Sequence, residues 1–84
     1  MDDKTQRLFV NNLPWSVDEV ELMDLFRPFG EVFWARVLRR EDGKSKGCGF
    51  VQMRSAIAAA EAIEELNGAV YQGRPLIVNE ARSR

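Results

Sequence analysis

The sequence predicts an α+β domain with the order β-α-β-β-α-β, in which two helices cover one face of a four-stranded antiparallel sheet. Two observations support this fold class. Four short segments alternate apolar and polar residues, and two longer segments carry apolar residues at helical spacing. The chain has 84 residues, which is enough for one small domain. We therefore expect residues 1–84 to form a single domain whose core spans about 7–82.

Four strands are predicted from runs rich in Val, Phe, Ile and Trp between turn residues. They cover residues 7–13, 32–40, 46–53 and 76–79. A turn that contains Gly43 separates the second strand from the third. Residues 70–72 are a candidate for a short edge strand, and Gly73 then turns the chain toward the last strand.

Two helices are predicted between these strands. The first covers 17–26 and follows Ser16, which forms a capping-box pattern with Glu19 three residues later. Pro28 and Gly30 are expected to end it. Its predicted buried stripe is Val20, Leu22, Met23 and Phe26. The second helix is expected to begin after Ser55 and to end at Gly68. Its predicted buried stripe is Ala59, Ala62, Ile63 and Leu66.

This order of elements is the ferredoxin-like plan, which leaves one face of the sheet uncovered. The helix-packed face is expected to take Leu8, Val10, Val51, Met53, Leu76 and Val78. Side chains alternate along a strand, so the remaining strand residues must point the other way. This set, which we call the open face, is Phe9, Asn11, Trp34, Arg36, Leu38, Lys46, Cys48, Phe50, Gln52, Ile77 and Asn79.

Two aromatic residues stand out on the open face. Phe9 and Phe50 are expected to lie on adjacent central strands, with Arg36 and Lys46 beside them. Exposed aromatic rings on a small domain usually mark a binding surface. A flat ring can stack on an unpaired base while a cation meets its phosphate. The pattern therefore favours a partner that presents unstacked bases and phosphates.

The chain resembles the RNA recognition motif (RRM) family over about 7–82. The family's six-residue motif on the first strand is similar to residues 8–13, L-F-V-N-N-L. Its eight-residue motif on the third strand is similar to residues 46–53, K-G-C-G-F-V-Q-M. Two motifs at the right separation within this order of elements are a specific signal.

The resemblance implies a role for each matching residue. Phe9 and Phe50 would stack on two successive bases, and Lys46 would contact the phosphate between them. Asn79 and Arg82 match the segment after the last strand, where main-chain groups contact bases. The other candidate RNA-binding residues are Asn11, Trp34, Arg36, Lys44, Cys48 and Gln52.

Two positions depart from the family pattern. Cys48 stands where a third aromatic residue normally packs against the sugars, so that contact is expected to be weaker. Met53 replaces the last aromatic residue of the octamer. Its position faces the core, so the change is expected to affect packing and not RNA.

Several of these residues also fit roles that involve no RNA. Phe9 and Phe50 would suit a surface covered by a tail or a partner, and an ordinary solvated strand and loop would account for the charges of Arg36, Arg39, Arg40, Lys44 and Lys46. Trp34 has three candidate roles: a further stacking platform, a self-association patch, or a ring folded over its neighbours. Trp15 either lines the RNA face or packs over the first helix.

An alternative function is protein–protein interaction or dimerisation on the same fold. It would use Trp34 and Leu38 on the sheet, or the acidic face of the helices. Protein-binding members of the family often lose the sheet aromatic residues and gain an Arg-x-Phe segment after the second helix. This chain keeps Phe9 and Phe50, and residues 70–74 contain no such segment.

The composition argues against several other classes. The chain has no His and a single cysteine, Cys48, so we expect no disulfide, no metal site, no cofactor and no His-based catalysis. We therefore expect the protein not to be an enzyme. No apolar run approaches the roughly 20 residues that cross a bilayer, and residues 1–4 show no signal-peptide core. An intracellular protein without a membrane partner is expected, with nuclear, cytoplasmic and organellar locations all open.

The net charge of −1 and the pI of about 5.4 argue at first against nucleic acid, because domains that bind it usually have a pI above about 9. However, the charges are segregated. Segments 16–31 and 55–68 carry eight acidic residues and one Arg, whereas 36–54 carries six basic and two acidic residues. The acids lie on the helices and most bases frame the open face. A near-neutral total then predicts few phosphate contacts and a shallow salt dependence.

Overall fold

The computed structural model describes residues 6–81. Its elements are β1 (Arg7–Asn11), α1 (Glu19–Phe26), β2 (Val32–Arg39), β3 (Ser45–Met53), α2 (Ala56–Leu66), β4 (Val70–Tyr71), β5 (Arg74–Pro75) and β6 (Ile77–Glu80). The main sheet has the order β2-β3-β1-β6, and each neighbouring pair is antiparallel. The predicted α+β, ferredoxin-like fold is therefore confirmed.

The core lies between the helices and one face of the sheet. The six strand residues predicted to face the helices are all buried: Leu8, Val10, Val51, Met53, Leu76 and Val78. Leu22 and Phe26 of α1 meet them, as do three small residues of α2, Ala58, Ala59 and Ala62. Removing such apolar side chains from water is the main favourable term in folding. Because both helices pack against this side, no helix within residues 6–81 covers the opposite face of the sheet.

The first helix begins two residues later than predicted. Asp18 caps it in place of Ser16, because the Asp18 carboxylate accepts the N–H of Glu21 at 2.9 Å. The later start leaves Val17 in the core, with 1% of its surface exposed, and turns Val20 outward with 65% exposed. The prediction that Val20 belongs to the buried stripe was wrong, and Leu25 packs against the core instead.

The second helix is capped as predicted. The Ser55 hydroxyl accepts the N–H groups of Ile57 and Ala58 at 3.1 and 3.2 Å. At the other end, the Asn67 side chain accepts the N–H of Val78 at 3.0 Å, which holds β6 to the end of α2. Of the helices within residues 6–81, none is long and apolar enough to cross a membrane.

A bulge near the start of β2 decides which side chains reach the open face. Val32 pairs with Met53, and Trp34 pairs with the adjacent Gln52, so Phe33 is an extra residue. The extra residue lets Val32 pack on the core although Trp34, two positions later, lies on the opposite face. Strict alternation would have put both on the same side.

A second irregularity lies where β3 begins. Val37 pairs with Gly49 but Arg39 pairs with Ser45, so β3 has extra residues between these points. Gly47 lies there with φ of +80°, a conformation that favours glycine. The Ser45 hydroxyl accepts the Gly47 N–H at 2.9 Å.

The candidate edge strand at 70–72 does not join the main sheet. β4 pairs only with β5, as a separate two-stranded ribbon. The Tyr71 hydroxyl donates to the Glu21 carboxylate, and the Gln72 amide donates to the same group at 3.2 Å. These bonds tie the ribbon to α1.

Candidate functional site

Phe9 on β1 and Phe50 on β3 are paired directly across the two central strands. Their ring centroids lie 5.2 Å apart and the ring planes are inclined at 52°. Both side chains are half-buried. Arg36 pairs with Phe50 on the β2 side, and Asn79 pairs with Phe9 on the β6 side. These four residues form one row across the open face, which we call the phenylalanine row.

A second row, the tryptophan row, consists of Trp34, Gln52 and Arg7. Gln52 is only 6% exposed, which differs from the expectation that it is accessible on the open face. The Arg7 Nε donates to the Gln52 Oε1 at 3.2 Å, and the Arg7 guanidinium continues over the Trp34 ring. Because Arg7 and Trp34 are two strands apart, their contact passes over Gln52 and covers it.

The third row consists of Cys48, Asn11 and Ile77, on the other side of the phenylalanine row. Cys48 is a half-buried free cysteine. Asn11 is exposed, and its side-chain oxygen accepts the N–H of Asn12 at 2.8 Å. These three residues therefore offer one amide, one thiol and an aliphatic surface, and none of them carries an aromatic ring.

The basic residues near the open face differ in whether they have an acidic partner. Arg39 pairs with Glu19 at 2.9 Å, and Arg40 pairs with Asp42 at 3.4 Å. Within residues 6–81, no such pair includes Arg36, Lys44 or Lys46, and all three are exposed. These three side chains are the cations most available to an anionic ligand.

Glu19, which its spacing from Ser16 predicted as the partner in a capping box, contacts β2 in the structure. Its carboxylate accepts the N–H of Val37 at 3.0 Å and the guanidinium of Arg39. The Val37 N–H, more than the Arg39 guanidinium, holds the pKa of the Glu19 carboxyl below its ordinary value, although partial burial opposes this. Glu19 thus fixes the irregular part of β2 to α1 and helps to place the β2–β3 hairpin.

The structure brings together on one face most of the residues proposed from sequence. They are Phe9, Asn11, Trp34, Arg36, Cys48, Phe50, Gln52 and Asn79, with Lys44 and Lys46 at the hairpin end. Arg82 lies outside the described residues. Sequence reasoning overlooked Arg7. Its position two residues before Phe9 was the available signal, because residues two apart on a strand share a face.

Comparison with known proteins identifies a family. Residues 8–77 match the family described as the RNA recognition motif. The chain is 47% identical over 79 residues to the chloroplastic 29 kDa ribonucleoprotein of Arabidopsis thaliana. That alignment covers 93% of this chain and 23% of the relative.

Two solved structures show the same architecture. The crystal structure of RNA binding protein PG1 has a TM-score of 0.89 and 45% identity, covering 94% of this chain and 96% of that one. A Sex-lethal protein–RNA complex has a TM-score of 0.87 and 32% identity, covering 94% of this chain and 49% of that one. The chain spans between 23% and 53% of the length of the curated relatives it matches.

Proposed function

Because the chain belongs to the RNA recognition motif family, we propose that it binds single-stranded RNA on the open face of its sheet. Two successive bases stack on Phe9 and Phe50, and Lys44 and Lys46 at the hairpin end contact their phosphates. The pairing of two accessible aromatic rings at 5.2 Å carries this proposal. Single-stranded RNA is the partner whose bases are free to be spread over such rings.

Other residues of the open face complete the contact. Arg36 and Asn79 lie at the two ends of the phenylalanine row, where they can reach base edges or phosphates. Lys46 supplies charge at the hairpin end. Cys48 replaces an aromatic residue, so the sugars make a weaker contact there. Asn11 offers a side-chain amide to a base edge.

The tryptophan row extends the surface. Trp34 is 39% exposed, so part of its ring is accessible although Arg7 lies over it. Gln52 holds the Arg7 guanidinium in place by accepting its hydrogen bond, and its own amide is covered. The row therefore presents an indole and a guanidinium, both of which stack on bases.

The test is a titration with fluorescently labelled single-stranded RNA of randomised sequence. Stacking on one aromatic residue is worth about 1–3 kcal/mol per base. Phe9→Ala and Phe50→Ala are therefore each expected to weaken binding roughly tenfold. Following the amide shifts of wild-type protein during the same titration would identify the residues in contact.

Phe33→Ala is the matched control, because Phe33 is an exposed ring that belongs to none of the three rows. It is expected to leave the affinity unchanged. If the Phe9→Ala, Phe50→Ala double variant remains folded and binds RNA as tightly as wild type, the assignment of the site is wrong.

The structure gives less support to self-association through Trp34 and Leu38. Leu38 is half-buried, and the guanidinium of Arg7 lies over the Trp34 ring. A charged guanidinium thus interrupts the apolar surface at that edge, whereas stable dimers bury large apolar areas. A constant monomer mass in a concentration series by light scattering is the expected result.

The relatives carry RNA-binding and ribonucleoprotein names, and we expect no enzymatic activity from this chain. A role as one module in RNA processing or mRNA regulation is consistent with the alignments, which cover only part of each longer relative. An isolated domain of this size binds with modest affinity, and linked modules raise it.

A further inference from the structure

β2 and β6 are the two edge strands of the main sheet. β2 has eight residues and β6 has four, so β2 offers the longer edge. Within residues 6–81, no strand pairs with the side of β2 that faces away from β3, which we call the outer edge. The N–H and C=O groups of such an edge can pair with a strand from another chain. Their arrangement therefore decides whether this protein associates through β2.

Two residues of β2 direct main-chain groups to the outer edge. The Val37 N–H points away from β3, because it donates to the Glu19 carboxylate at 3.0 Å. Residues 34–37 pair with β3 in regular register. In a regular antiparallel ladder, residues two apart direct their N–H and C=O groups to the same side. Ala35 therefore also presents a donor and an acceptor at the outer edge.

Glu19 closes this edge at Val37. It lies in the first turn of α1, and its carboxylate reaches β2, where it accepts both the Val37 N–H and the Arg39 guanidinium. While the Val37 N–H donates to Glu19, it cannot donate to an added strand. Charged side chains at strand edges are a common means of preventing edge-to-edge association.

The sequence of β2 is complementary to itself in antiparallel order. Counted outward from Ala35, Val37 lies opposite Phe33 of a second copy. Further along, Arg39 lies opposite Glu31 of that copy. An aromatic residue facing a β-branched one stabilises an antiparallel pair, and so do two opposite charges that face each other. The two Ala35 residues meet at the centre of this register, where they can exchange two hydrogen bonds.

We propose that the outer edge of β2 is a pairing surface for a second copy of this chain, and that Glu19 keeps it closed. The Glu19 carboxylate holds two groups that the pairing needs, the Val37 N–H and the Arg39 guanidinium. The wild type is therefore monomeric. Without this carboxylate, two four-stranded sheets join into one. Their open faces then lie on the same side, because facing residues of an antiparallel pair share a face. This inference does not depend on RNA binding.

The test measures molar mass by light scattering across a concentration series, without RNA. Glu19→Ala is expected to raise the mass from that of one chain toward that of two, because the Val37 N–H and Arg39 are released. Glu19→Asp is expected to do the same, since its shorter side chain keeps the charge but does not reach Val37. It decides the question if Glu19→Ala does not fold. Glu19→Gln should stay monomeric, because its amide oxygen still accepts the Val37 N–H.

A proline at Ala35 identifies the surface. Proline is tolerated in an edge strand where the N–H that it removes faces away from the neighbouring strand. The double variant Glu19→Ala, Ala35→Pro should therefore fold and return to the mass of one chain. Glu61→Ala is the matched control, because it removes an exposed carboxylate from α2, and it should remain monomeric.

Amide hydrogen exchange gives a second readout at the same position. The Ala35 N–H should exchange rapidly in the wild type and become protected in concentrated Glu19→Ala. If Glu19→Ala and Glu19→Asp are folded and both monomeric, the outer edge is not a pairing surface. Association that leaves the Ala35 N–H unprotected, or that survives Ala35→Pro, would place the contact elsewhere and overturn the proposal. Association of Glu19→Gln as strong as that of Glu19→Ala would show that the bond to Val37 does not close the edge.

Discussion

The guanidinium of Arg7 lies over the indole of Trp34, with its Cζ 5.5 Å from the ring centroid. The two residues belong to strands that are not neighbours, since β3 lies between β1 and β2. Their contact therefore joins three strands at one end of the open face. It also covers the Gln52 amide, whose oxygen accepts from the same Arg7 side chain.

This contact predicts energetic coupling between Arg7 and Trp34. A cation above an aromatic ring is worth about 0.5–1 kcal/mol at an exposed site. In a double-mutant cycle, Arg7→Ala and Trp34→Ala should show a coupling of that size in the free energy of unfolding, measured by urea denaturation. The pair Arg54→Ala and Trp34→Ala provides the control, because Arg54 is paired with Glu31. Strictly additive effects of Arg7→Ala and Trp34→Ala would contradict the prediction.

The salt dependence of RNA binding is expected to be shallow. Each phosphate contact on a single strand contributes a slope of about −0.7 to log K against log salt. With Arg36, Lys44 and Lys46 as the available cations, the slope should be about −2. Lys46→Gln should make the slope shallower by about 0.7, whereas Arg54→Gln should not change it. Titrations at several salt concentrations measure both, and a slope unaffected by Lys46→Gln would remove this residue from the phosphate contacts.

Tyr71 provides a direct test of the contact between the β4–β5 ribbon and α1. The hydrogen bond to Glu21, followed by partial burial, raises the pKa of the Tyr71 phenol above its ordinary value. Glu21→Gln is expected to lower this pKa toward the ordinary value of about 10. The ultraviolet absorbance of tyrosinate reports it directly, since Tyr71 is the only tyrosine in the chain.

The same shift sets a pH dependence of stability. A phenol whose pKa is higher in the folded state than in the unfolded state stabilises the fold below about pH 10, and this contribution is lost as pH rises through the folded value. The wild type should therefore lose more stability at high pH than the Glu21→Gln variant. An unchanged tyrosinate titration in Glu21→Gln would show that the two side chains do not interact in solution.

Much of the fold could be predicted because two kinds of local pattern agree with it. Alternation placed Leu8 and Val10 in the core, and the Ser55 cap marked the start of α2. The start of α1 was less accessible to this reasoning, because Ser16 and Asp18 are both good capping residues. The choice between them depends on burial of Val17, which is a tertiary effect.

The site was also predictable to the extent that alternation holds. Phe9 and Phe50 follow it, and so their pairing could be expected. Gln52 follows it as well, yet it is covered by long side chains from the strands on either side, and a pattern within one strand does not report this. The bulge at Phe33 is likewise a property of the pairing between β2 and β3, and not of β2 alone.

The 52° inclination between the Phe9 and Phe50 rings has a consequence for the RNA itself. In the proposed complex, a base that lies flat on each ring is inclined to its neighbour by a similar angle. Successive bases in a stacked strand lie nearly parallel, so binding requires the RNA to give up that stacking at this step. Segments that are already unstacked avoid this penalty. In the proposed complex, the domain would therefore bind unstacked RNA segments more tightly than segments held in helical form.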